Sequence, residues 1–267
     1  MAAAPDSAAT LPSFARRSEG GRPPFPAVLL TLLVPGLGHV YAGFLLRGIA
    51  VFLFVNGLYA AGLVLGERAL LGFSSLRGPL RIDLLPEVLN VGATYVAGRL
   101  YADVAYLDPG DSPHRNLGIL LTALSGVFAA LAASDAHFLA RAGRGGARRS
   151  PAVVATLSFL VPGLGHFLLG ERKKGVLLFA ALTSIFVVGL LLSDGNVVDR
   201  DRHYYYWAGQ ILNGVPTSIA HLLFMDRRVS SFPPHLDSAL LFVTAAGLLN
   251  VLVMIDAYAE AEGRMEA

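Results

Sequence analysis

From Phe25 onward the chain alternates long apolar runs with short hydrophilic connections. A helix rising 1.5 Å per residue needs roughly 20 mostly apolar residues to cross about 30 Å of hydrocarbon. Eight stretches approach that length, at approximately 25–46, 48–66, 88–107, 117–138, 152–170, 175–193, 205–225 and 237–258. Between them lie the Pro- and Arg-containing stretch 67–87, the turn-like DPGDSPHRN at 108–116 and RAGRGGARRSP at 141–151. The pattern predicts an all-α, polytopic membrane protein of helical segments.

The apolar runs also repeat. Leu33-Val34-Pro35-Gly36-Leu37-Gly38-His39 recurs as Leu160-Val161-Pro162-Gly163-Leu164-Gly165-His166, so that Pro35 and Pro162 stand 127 residues apart. The register continues through Gly43 and Gly170, Arg47 and Lys174, and Gly48 and Gly175. Asp135-Ala136 closes the last segment of the first half and Asp256-Ala257 that of the second. The reading is two tandem four-segment repeats, each starting with a Pro/Gly-broken segment. Residues 25–140 form the first and 152–267 the second, joined by a basic linker at 141–151. Residues 1–24 are small, polar and rich in Pro and Gly, and are expected to be a disordered tail. They lack the short apolar core and small-residue cleavage site of a signal peptide.

Composition agrees: 54% of residues are apolar and 15% charged, against about 25% charged in a soluble domain, and the mean hydropathy is +0.58. The net charge of +2 is small and its basic residues fall in clusters between apolar runs, which argues against nucleic acid as a partner. The absence of cysteine excludes disulfides, thiolate metal sites and cysteine nucleophiles. If all eight segments cross, one side carries thirteen Lys and Arg and the other seven, with Arg99 left in the membrane. A second layout makes the PGLGH segments re-entrant and lays segments three and seven at the interface, giving twelve against nine. Both layouts place both termini in the cytoplasm, in the inner membrane of a bacterium, with the repeats parallel.

Proline removes a backbone donor, and the glycines that follow permit angles a helix does not use. The helix is therefore expected to break at Pro35 and Pro162, with Gly36, Gly38, Gly43 and Gly48, and Gly163, Gly165, Gly170 and Gly175, completing a structural hinge in each repeat. His39 and His166 sit just past the breaks and are expected to hydrogen-bond freed carbonyls. Equivalent placement of the repeats predicts a pseudo-two-fold axis along the membrane normal, with the two breaks meeting.

Asp135 and Asp256 lie near helix C-termini, where the helix dipole disfavours a carboxylate, so each needs a cationic or donor partner. Arg141 and Arg144 in the first half and Arg264 in the second are the candidates. Arg99, four residues before Asp103, shares a helical face with it, and His221 falls at a comparable place in the second half. Arg99, Asp103, His221, Asp135 and Asp256 are thus the candidates for a polar path. His203-Tyr204-Tyr205-Tyr206-Trp207 reads as an aromatic belt at a membrane boundary. No HExxH, GxxxxGK[ST], GxSxG or dinucleotide fingerprint is present, so no catalytic residue, metal ligand or cofactor is assigned.

The PGLGH-x3-G-x4-G string resembles the bacterial members of the two-transmembrane domain superfamily over about residues 27–66 and 152–193. There, PGLGH or PGLGQ precedes an aromatic, a Gly and a basic residue before another Gly. Tyr41 supplies the aromatic in the first copy, while Leu168 takes that place in the second. The resemblance implies a small helical membrane module with no established reaction. The leading reading is a non-enzymatic membrane scaffold or accessory subunit, set in the lipid bilayer with a membrane protein partner or a second copy. The alternative is a transporter or channel-like protein with a polar path between the repeats, and a weaker one is a membrane enzyme with a His/Asp metal site.

Overall fold

The computed structural model describes residues 21–66, 86–100, 114–146, 150–200, 202–224 and 233–266. Asp103, most of the tail and the connections around 67–85 and 108–113 lie outside them. The fold is all-α. The first repeat comprises α1 (Pro24–Leu33), α2 (Leu37–Tyr41), α3 (Leu45–Leu65), α4 (Val91–Leu100) and α5 (Arg115–Gly146). The second comprises α6 (Pro151–Leu160), α7 (Leu164–Leu168), α8 (Arg172–Leu192), α9 (Tyr204–Gln210), α10 (Val215–Phe224) and α11 (Leu236–Glu266). Among the described residues four helices, α3, α5, α8 and α11, are long and apolar enough to cross a membrane. The protein is a polytopic membrane protein, but not by eight independent crossings.

The PGLGH segments fold back on themselves. Proline forces the preceding residue out of the helical region, and Val34 (φ −139, ψ 105) and Val161 (φ −134, ψ 114) are extended accordingly. Gly36 (φ 93) and Gly163 (φ 79) then reverse the chain in a conformation that L side chains avoid. A Cβ on Gly38 would collide with the carbonyl of Ala27, which puts α2 antiparallel against α1. Arg22, before α1, donates to the carbonyl of Tyr41 at the end of α2. Each hairpin thus enters and leaves at one end of the bundle, here called the near face. At 1.5 Å per residue the ten residues of α1 reach about 15 Å, half the depth of the hydrocarbon.

α3 leaves the near face and α5 returns to it, with Gly62 packed against Gly118 and Thr122 near the far face and the Arg22 amide donating to Ala140 O at 2.7 Å near the other. Segments three and seven do not lie flat at the interface. Gly92 at the start of α4 abuts the carbonyl of Leu33, and Gly214 between α9 and α10 abuts that of Phe159. Each far-face segment therefore dips to mid-depth and meets the tip of a near-face hairpin. The C-terminal end of α1 thus meets the start of α4, and that of α6 the start of α10.

α5 is the hub. It contributes Ile119, Leu120 and Ala123 to the core shared with Trp207, Ile211 and Val243, and Val127 and Leu131 to that shared with Ala155 and Phe159. Its apolar window is 61% buried, against 22% for α3 and for α8, whose Leu46, Leu53, Leu177 and Leu191 face outward as lipid contacts. The repeats meet head to tail: α5 packs on α6, and no comparable packing joins α11 to α1 among the described residues. The expected pseudo-two-fold meeting of the two breaks is therefore absent, because Gly36 packs on Gly48 and Gly163 on Gly175, each break covered within its own repeat.

Candidate functional site

Two sets of polar residues recur in both repeats. The first lies near the near face. α2 ends in a Schellman-type cap, with Phe44 N donating to His39 O at 2.8 Å and Gly43 in the left-handed region; Glu171 N repeats the bond to His166 O at 2.9 Å. This fixes the histidine backbone in the single turn of helix. His39 Nε2 then lies 2.9 Å from Asp135 Oδ2, and Arg47 Nη2 donates to Asp135 Oδ1 at 2.7 Å. In the second repeat His166 Nε2 and Lys174 Nζ lie 2.8 and 2.6 Å from Asp256 Oδ2.

The histidines thus meet carboxylates rather than freed carbonyls. The carboxylates find their cations on α3 and α8, not at the expected Arg141 or Arg264, while the side chain of Arg144 lies outside the described ones. Arg141 instead pairs with Glu262 across the repeats at 3.0 Å, and Arg264 with Glu171 and Glu260 at 3.0 and 2.9 Å. Re-entrance is what brings His39 to the depth of Asp135. Asp135 is nearly sealed, its side chain 9% exposed, whereas that of Asp256 is 53% exposed. Among the described residues no three His, Cys, Asp or Glu side chains come together as a metal site, and the two His–Asp pairs stay in separate repeats.

The second set lies at mid-depth, where the hairpin tips meet the far-face segments. Glu87, Asn90 and Thr94 in the first repeat correspond to Gln210, Asn213 and Thr217 in the second, 123 residues on, and all six are buried. Asn90 Nδ2 donates to Asn56 Oδ1, in the middle of α3, at 3.5 Å. Thr183, which holds the matching place in α8, is 127 residues on from Asn56. Asn250, halfway along α11, donates through Nδ2 to Leu212 O at 2.9 Å and to Phe159 O at 3.4 Å, covering carbonyls ahead of Gly214 and of Pro162 in the second repeat.

The two layers differ in charge. In the first, Arg200 of the second repeat reaches across to Glu87, Nη2 to Oε1 at 3.0 Å, with side chains 4% and 2% exposed. Arg200 is sandwiched over Trp207 at 5.3 Å and Tyr204 at 5.5 Å. Trp207 is therefore fully buried in the core instead of lying in an aromatic belt, while Tyr205 is 86% exposed. In the second layer no charged group stands at the equivalent place among the described residues. Both amide atoms of Gln210, both of Asn213, Thr217 Oγ1, Thr183 Oγ1 and Asn250 Oδ1 are buried without a hydrogen-bond partner among the described residues.

Among the described residues, which do not include Asp103, the expected polar path does not assemble. Arg99 is exposed near the outer end of α4. His221 is buried between Trp207 Nε1, at 3.2 Å, and the carbonyl of Asn116, at 3.1 Å. Asp135 and Asp256 belong to the near-face clusters. The mid-depth layer escaped the sequence reading because its residues are neutral amides and hydroxyls, apart from Glu87, scattered through apolar runs. The recurring spacing of Glu/Gln, Asn three on and Thr four further was the signal that could have found it.

No curated protein and no solved structure matches the chain. A family model matches it twice, over residues 26–148 and 153–266, one match to each repeat, and the chain therefore belongs to DUF6677, a family of unknown function.

Proposed function

We propose that the protein moves a small polar solute across a bacterial cytoplasmic membrane, through the mid-depth layers at which its discontinuous helices meet. One observation carries this reading: a layer of buried polar side chains, several without partners, at the junction of opposed half-helices in both repeats. Irregular backbone at membrane depth persists where it is buried in protein or lines a cavity, and broken helices meeting at the midplane are where many transporters bind their substrates. An unsatisfied buried donor or acceptor costs about 1–3 kcal/mol, so seven in one layer are hard to account for as packing alone. A scaffold needs a dry interior with its polar groups partnered. Asp135, nearly sealed and held by His39 and Arg47, fits that description and the mid-depth layer of the second repeat does not.

The near face is proposed to be cytoplasmic, since among the described residues it gathers Arg22, Arg47, Arg141, Arg172, Lys173, Lys174 and Arg264 against Arg99, Arg115 and Arg202 on the far side. The resemblance of both PGLGH strings to the two-transmembrane domain superfamily is proposed to reflect one shared unit, a re-entrant hairpin followed by a crossing helix, as in residues 24–65 and 151–192. Purified protein in liposomes tests the function. Permeability to at least one of a panel of small ions and neutral solutes is expected to exceed that of empty liposomes, and equal tightness to the whole panel would overturn the reading. Orientation is tested with single cysteines in this cysteine-free chain: Tyr205→Cys is expected to label from outside intact cells and Arg172→Cys is not.

A further inference from the structure

Building on the transport reading, we infer that the second repeat's layer is the binding site and that it takes an uncharged solute bearing both donors and acceptors, of the polyol or amide class. The unpartnered atoms of Gln210, Asn213, Thr217, Thr183 and Asn250 include two amide NH2 groups, two hydroxyls and three carbonyl oxygens, with no formal charge among them. A cation or anion at this depth would shed its water and meet no counter-charge among the described residues, at a cost amide dipoles do not repay. A neutral hydroxyl or amide solute exchanges its hydrogen bonds with water for hydrogen bonds with the same inventory of groups.

The first layer is built otherwise. Arg200, held by Trp207 and Tyr204, fills it from the side and occupies one carboxylate oxygen of Glu87, while Asn90 is engaged by Asn56. The layer is crossed by an ion pair in one repeat, where Glu87 Oε2, Asn90 Oδ1 and Arg200 Nε still lack partners among the described residues, and is built of uncharged side chains with seven such atoms in the other. Backbone geometry is common to both layers, since Gly126 packs on the carbonyl of Pro86 beside Glu87 as Gly247 packs on that of Gly209 beside Gln210, so the side chains alone set the two apart.

The full chain in liposomes provides the test, with glycerol and urea as neutral probes in stopped-flow light scattering and potassium and chloride as ionic ones. Glycerol or urea permeability above that of empty liposomes is expected, with both ions held out. Gln210→Met and Thr217→Val, which keep side-chain volume, are expected to lower it about fivefold each, the worth of one hydrogen bond, while the exposed Tyr205→Phe leaves it unchanged. Thermal midpoints of the same preparations separate loss of fold from loss of site. Ion flux without neutral flux would overturn the solute class while the transport reading stood. Neutral flux untouched by both variants would overturn the assignment to the second repeat, and no flux of any probe would overturn inference and transport reading together.

Discussion

The near-face clusters and the mid-depth layers are both duplicated, yet they have diverged in opposite ways. Near the surface the chemistry is kept and the setting has changed: His, Asp and a cation recur, sealed in the first repeat and half-open in the second. At mid-depth the setting is kept and the chemistry has changed, with Glu87 and its Arg200 on one side and a neutral Gln210 on the other. A device that keeps its residues while its exposure drifts does the same mechanical task twice, clamping a one-turn helix to two crossing helices. A device that keeps its position while one copy is locked and the other left unsatisfied has divided its labour.

The largest expected effect comes from unlocking the first layer. Arg200→Met leaves the Glu87 carboxylate buried without its cation, which should destabilise the protein by about 3–5 kcal/mol. Adding Glu87→Gln should restore much of the thermal midpoint, because the double variant resembles the second repeat. A midpoint unchanged by Arg200→Met would show that the ion pair is not the lock.

The clamps are next. Asp135→Asn removes a buried carboxylate shared by His39 and Arg47 and should cost about 3 kcal/mol, whereas Asp256→Asn, at a half-exposed site, should cost less than about 1 kcal/mol. Equal losses of thermal midpoint would break the distinction between a sealed and an open clamp. Gly36→Ala should cost more than about 2 kcal/mol, from the left-handed φ of 93 and the crowding against the Gly48 carbonyl. Replacing His39 by Gln keeps a donor toward Asp135 and should cost about 1 kcal/mol. A His39→Gln variant less stable than Gly36→Ala would make the imidazole, not the turn, the centre of the hairpin.

The smallest effect has the opposite sign. Thr183→Val removes a buried hydroxyl that bonds to nothing described and should raise stability by up to about 1 kcal/mol. A fall in thermal midpoint would mean that the hydroxyl is satisfied in the folded protein, weakening the contrast between an ion-paired first layer and an uncharged, more open second one.

Much of this architecture was readable in the sequence. The length and hydropathy of the apolar runs marked eight candidate segments, and the four helices long and apolar enough to cross lie among them, since a helix in hydrocarbon must be long, apolar and internally hydrogen-bonded. The 127-residue repeat of PGLGH located both breaks, because Pro35 and Gly36 carry their backbone restrictions wherever they stand. What local chemistry left open was direction. A break permits a kink, a crossing or a reversal, and packing chose reversal when Gly38 found room only against the Ala27 carbonyl and Gly36 only against Gly48. That choice put His39 beside Asp135, a pairing across 96 residues that no spacing predicts. The mid-depth layers are likewise tertiary: Glu87, Thr183, Gln210 and Asn250 sit on separate segments, and each looks like an isolated polar residue until opposed half-helices bring their ends to the same depth.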